Sequence, residues 1–114
     1  MLKIDVRKAG GVSILDLDGQ IDGGSDSAEL QSAVKGELSR GAQKLLVNLM
    51  AVKWVNSLGV GDLIAAFTSA RREGAVLKFC GASDRVAAVL RTAGVIPSIF
   101  EILADEREAL SSFS

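Results

Sequence analysis

The stretch "KLLVNLMAVKWVNSLGVGDLIAAFTSARREGAVLKFC", Lys44 to Cys80, decides the fold. Its first part, "KLLVNL" (44–49), is a short apolar run and reads as a buried strand. A loop then leads to Ser57. From 57 to about 72, Val60, Leu63, Ile64 and Phe67 recur at the i, i+3, i+4, i+7 spacing of a helix. Leu58, Ala65, Ala66 and Ala70 fill the other faces, so this helix is packed on more than one side. Gly74 stops it, and "AVLKFC" (75–80) is the next strand. Two strands joined through a helix run parallel, because parallel neighbours need a crossover.

The flanks extend the same alternation. Leu2, Ile4 and Val6 alternate with Lys3, Asp5 and Arg7, which predicts a strand over 2–7 with one wet side. "AGG" (9–11) is a turn, and "VSILDL" (12–17) completes a hairpin. "DGQIDGGSD" (18–26) reads as a loop. Asp26 and Glu29 have the spacing of a capping box. The helix they open has Leu30, Ala33, Val34 and Leu38 on one side, with Glu29, Lys35, Glu37 and Arg40 elsewhere, and ends near Gly41. Ser83 or Asp84 starts a third helix with Val86, Val89, Leu90 and Ala93 as its inner stripe, closed by Gly94. Pro97 breaks the chain and "IFEIL" (99–103) is a last short strand. Asp105 and Glu108 repeat the capping spacing ahead of a final helix carrying Ala109, Leu110 and Phe113. The order is ββαβαβαβα, an α/β fold on a mostly parallel sheet with right-handed crossovers.

Composition bounds the function. The chain has 114 residues, the size of one domain, with no internal repeat or linker (1–114). It is 48% hydrophobic and 24% charged, enough for a core and for solubility. Net charge is −1 and the 13 basic residues are scattered, which argues against a nucleic-acid surface. Histidine and tyrosine are absent and Cys80 is the single cysteine, so a zinc site or a Cys/His dyad is excluded by inventory. Cys80 sits in an apolar run and reads as a small buried hydrophobe in a reducing compartment. No run approaches the roughly 18 apolar residues of a membrane span, and the N-terminus reads as a strand rather than a signal peptide. The expectation is a cytoplasmic protein with no cofactor, no metal and no catalytic centre.

Few residues carry chemistry. Gly59 and Gly61 in "GVGDLI" are not a dinucleotide or P-loop signature, because Ile64 stands at the third glycine position and no Gly-Lys-Ser/Thr follows. Each still costs roughly 0.5–1 kcal/mol against alanine inside a helix. Close packing on the sheet or close approach of a partner would offset that. Asp16, Asp18 and Asp22 lie together near the end of the second strand, where acid–base work or magnesium binding competes with a plain turn role. Asp62 complements the dipole of its helix. Trp54, the only tryptophan, either fills the core or anchors a partner. Ser57 or Asn56 caps the central helix. A hydroxyl at Ser57 also suits phosphorylation, since free amides and the positive helix end favour a phosphate. The residues leave cap and phosphate site both open.

Three segments together resemble a STAS domain, specifically a single-domain bacterial anti-sigma factor antagonist. They are "LDGQID" (17–22), "LLVNL" with the stretch through Phe79, and "VLRTAGVIPSIFEILADEREAL" (89–110). Trp54 to Gly61 occupy the places of a family loop that reads roughly Phe-Ile-Asp-Ser-Ser-Gly-Leu-Gly. The resemblance implies a sheet of four to five strands with about four helices. It implies a non-enzymatic binding domain whose partners are an anti-sigma factor that is a serine kinase, which phosphorylates Ser57 from ATP and then lets go, and a phosphatase that resets the switch. Asp22, Trp54, Asn56, Ser57, Leu58, Gly59 and Gly61 would form the docking surface. Asn56 replaces the family aspartate and Leu58 its second serine. A non-switching scaffold, or a subunit of a stress-signalling or lipid-transport complex, is the alternative that the resemblance leaves open. Exposed apolar surface on the second helix would allow a homodimer.

Overall fold

This computed structural model describes residues 2–24, 26–96 and 98–113. The chain adopts the predicted order: β1 (Leu2–Ala9), β2 (Val12–Ile21), α1 (Ser27–Ser39), β3 (Lys44–Val55), α2 (Ser57–Arg72), β4 (Val76–Cys80), α3 (Asp84–Thr92), β5 (Ile102–Leu103) and α4 (Glu106–Ser112). The five strands lie in the order β1-β2-β3-β4-β5. The β1–β2 hairpin is antiparallel and every later pair is parallel. The predicted break at Pro97 lies outside the described residues.

Topology decides which face each helix covers. After β2 every parallel step goes in one direction across the sheet. Right-handed crossovers therefore bring α1, α2 and α3 onto the same face. There Leu15, Leu17, Leu45, Val47, Leu49 and Phe79 of the sheet pack under Leu30, Val34, Leu63, Ala66, Val86 and Leu90 of the helices. The opposite face has no crossover of its own. A smaller cluster of Val12, Ile14, Leu46 and Cys80 is covered there by Ala109, Leu110 and Phe113 at the C-terminal end. Arg7 of β1 ties α4 down by bonding both Asp16 and Glu106.

Strands β2 and β3 run further than their sequences suggest. The expected loops at 18–26 and 50–56 are shortened because Asp18, Gly19, Gln20 and Ile21 pair with Ala51, Val52, Trp54 and Val55. Cross-strand pairing overrides weak strand propensity here. Register shifts at Asp16/Asp18 and Gly19/Gln20 absorb the mismatch. The last strand is shorter than the expected 99–103, because the Ile99 and Phe100 amides both donate back to Val95 O in a turn. Asp26 forms no capping box; its Oδ2 accepts instead from the Leu2 amide at 2.9 Å, fastening β1 to the start of α1.

Glu37, expected on the wet side of α1, is only 5% exposed. Burial opposes its charge, but the Ser13 hydroxyl at 2.8 Å, Lys8 and Arg40 outweigh it and hold the carboxyl below its ordinary range. Asp16 is also held low, chiefly by its bonds from Arg7 and then from Asn48, against some desolvation. A depressed carboxyl contributes stability above its unfolded pKa and loses it as pH falls through the folded value. The melting temperature is therefore expected to drop steeply below about pH 4. Glu37→Gln should cost about 1–2 kcal/mol at neutral pH and flatten part of that drop. An unchanged acid limb in the variant would contradict this role.

Cys80 is fully buried, and desolvation, followed by the charges of Glu106, Asp105 and Asp16, pushes its thiol up to about 11. Native protein should react with iodoacetamide at least about 100-fold more slowly than unfolded protein at pH 8. Equal rates would contradict the burial.

Candidate functional site

The site is built where β2 and β3 end side by side and α2 begins. Ile21 pairs with Val55, so the two following loops leave the sheet as neighbours. Asn56 N donates to Ile21 O at 3.3 Å. The Asn56 carboxamide then works at both ends. Its Oδ1 accepts from the Gly59 amide at 2.8 Å, and its Nδ2 donates to Asp22 O at 3.3 Å. Asn56 is thus the N-cap of α2 and also the tie between the two loops. Of the two caps left open by the sequence, Ser57 is not the one used. Ser57 is exposed in the first turn, and no hydrogen bond among the described residues uses its hydroxyl.

Two glycines serve the packing of this corner. A methyl group on Gly59 would run into the Ile21 carbonyl and the Val55 side chain, so only glycine lets α2 start this close to β2. Gly23, with φ of 79°, lies against the Cβ of Leu58. Gly61 is different: no atom lies within 4 Å of where its Cβ would be, and it faces outward. Sheet packing accounts for Gly59 and leaves Gly61 as open surface.

The other candidates divide. Asp22 is half-buried beside the loop, its Oδ1 accepting from Gly24 N at 3.0 Å and its Oδ2 from Gln20 at 3.3 Å. Asp16 is bound to Arg7 and Asn48, and Asp18 is exposed on the strand. The three aspartates do not converge, and no group of metal-ligating side chains gathers among the described residues. Asp62 accepts from the Ser27 hydroxyl at 2.7 Å, which joins α1 to α2. Trp54 is not a core residue: it is half-buried at the end of β3, opposite Gln20, and belongs to neither apolar cluster. Leu58 is 68% exposed, directly beside Ser57.

Sequence reading missed one part of this surface. An open groove of about 430 Å³ lies beside Ser57, lined also by Val60, Ala88, Val89, Thr92 and Ala93. The apolar stripe of α3 identifies its inner face, and Ala88 and Thr92 lie off that stripe. Nothing local announces that the C-terminal end of α3 lines a groove with the start of α2.

The STAS domain model matches residues 3–109. The chain belongs to the STAS domain family. No curated protein matches this STAS domain by sequence. Among solved structures, an anti-sigma factor antagonist from Mycobacterium paratuberculosis superposes with a TM-score of 0.85 at 20% identity, over 98% of this chain and 93% of that one. The Bacillus cell fate determinant SpoIIAA in its phosphorylated form gives 0.72 at 16% identity, over 98% and 100%. A sulfate transporter family protein from Wolinella succinogenes gives 0.79 at 20% identity, over 93% and 87%. At these identities the likeness is one of fold. In this STAS domain Ser57 is the first residue of α2, directly after the Asn56 cap. No helix among the described residues is long and apolar enough to cross a membrane.

Proposed function

We propose that this STAS domain is an anti-sigma factor antagonist, a regulatory binding domain switched by phosphorylation of Ser57. One observation carries the reading: the Ser57 hydroxyl is exposed at the start of α2 while Asn56, one residue earlier, does the capping. A modification at Ser57 therefore breaks no structural hydrogen bond. Solved relatives named as anti-sigma factor antagonists, and one named as a phosphorylated form, support the direction of the reading.

The chemistry belongs to the partner, a serine kinase. Ser57 Oγ attacks the γ-phosphorus of ATP, the new O–P bond forms as the bond to the bridging oxygen breaks, and ADP leaves. The hydroxyl proton passes to a base supplied by the kinase. The STAS domain contributes a fixed acceptor on a rigid element. Unmodified, it docks through Asn56 to Gly61, with Leu58 as an apolar knob, Asp22 and Trp54 at the flank and the α2–α3 groove beside them. The phosphoryl group adds a charge of about −1.5 to −2 at the centre of that surface, where it is costly to desolvate against a partner. Release follows without unfolding, and a phosphatase restores binding.

Affinity capture of the tagged protein from its own cells tests this. Recovery of a serine kinase, displaced when Ser57 is phosphorylated, is the expected result. Recovery of a transport ATPase or a large homomeric assembly, indifferent to Ser57, would favour a constitutive scaffold.

A further inference from the structure

We propose that Asn56 is the positioning residue of this switch: its neutral carboxamide caps α2 and so leaves both the Ser57 hydroxyl and the positive end of the helix free for a phosphoryl group. The inference rests on Ser57 being the acceptor. Asn56 and Ser57 are adjacent competitors for one cap, and three hydrogen bonds decide between them. The Asn56 amide is held by Ile21 O, its Nδ2 by Asp22 O, and its Oδ1 takes the Gly59 amide. The carboxamide holds the far loop and the cap with two separate atoms, where a serine would have to donate and accept from one. A carboxylate could take the Gly59 amide, but it has no proton for the Asp22 carbonyl and would set charge against it.

Charge placement points the same way. The first turn of α2 holds no acidic residue, whereas α1, α3 and α4 carry Glu29, Asp84, and Glu106 with Glu108 in theirs. The nearest acid on α2, Asp62, lies beyond the first turn and accepts from the Ser27 hydroxyl, and the carboxylate of Asp22 on the facing loop accepts from Gly24 N and Gln20. Nothing charged on the cap or in the first turn therefore offsets the helix dipole where a phosphate on Ser57 would sit. The expected consequence is a phosphoserine that stays dianionic near neutral pH, which is the form that most strongly opposes an apolar partner surface.

The test installs phosphoserine at position 57 during translation and follows its ³¹P shift against pH. In the folded protein its second ionisation should lie below the ordinary value of about 6. Asn56→Asp, which keeps the bond from Gly59 N but loses the one to Asp22 O, should melt a few degrees below the parent and should raise that ionisation by about 0.5 or more. Urea should shrink the difference to the small effect of an adjacent charge in an unfolded chain. A merely structural cap would move the melting temperature and leave the titration alone. Identical titrations in the two folded proteins, or a parent value no lower than in urea, would overturn the proposal. Because the phosphoserine is installed without a kinase, these outcomes are independent of whether a kinase labels Ser57.

Discussion

Ser57→Asp is expected to melt within about 2 °C of the parent and to bind the partner kinase at least about 100-fold more weakly. Both halves follow from where the residue sits. The cap of α2 is supplied by Asn56, so losing the hydroxyl removes no structural acceptor. A carboxylate in the first turn also meets the positive helix end, which stabilises by typically 0.3–1 kcal/mol. Fold stability should therefore hold or rise slightly. Binding should not survive, because a charge buried unpaired in an interface costs about 2–5 kcal/mol, and each 1.4 kcal/mol is tenfold in affinity. Calorimetric unfolding and titration against the kinase give the two numbers. A variant that melts several degrees lower yet binds normally would mean that Ser57 matters for the helix start and not for the partner.

Gly59→Ala should be strongly destabilising. The added methyl meets the Ile21 carbonyl and Val55, backbone and core that cannot swing aside. The same Ile21 oxygen accepts from Asn56, so moving it apart also breaks the junction between the loops. A loss of about 3 kcal/mol or more is expected, a large fraction of the 5–15 kcal/mol typical of a domain. Gly61→Ala, two residues on, is the control. Its Cβ would meet nothing, and alanine should stabilise the helix by roughly 0.5–1 kcal/mol. Urea denaturation of the pair gives opposite signs if the close approach of α2 to β2 is real. Equal small effects would contradict it.

Much of this was legible in the sequence because the relevant signals are local. Helix period, glycine stops and short apolar runs place α2 at its observed bounds and give the full element order. What was not legible depends on contacts between distant segments. Gln20 and Trp54 are neighbours because β2 and β3 pair beyond their apolar parts, over residues whose own preferences favour loop. Glu37 reads as a surface charge on its helix, and only Ser13 on β2, together with Lys8 and Arg40, makes its burial tolerable. At the site, the identity of Ser57 was plain while its state was not. Which of two adjacent side chains caps α2 is decided by Ile21 and Asp22, more than thirty residues earlier. The groove formed with α3 has the same origin: it joins the start of one helix to the end of another.

The central claim is that Ser57 is the phospho-acceptor of a binding switch. The most direct measurement is mass spectrometry of the protein after incubation with ATP and the kinase that co-purifies with it. One phosphate per chain is predicted, on the peptide containing Ser57, and none in Ser57→Ala. A kinase that is active on ATP yet leaves this peptide unmodified, or labelling that persists in Ser57→Ala, would contradict it.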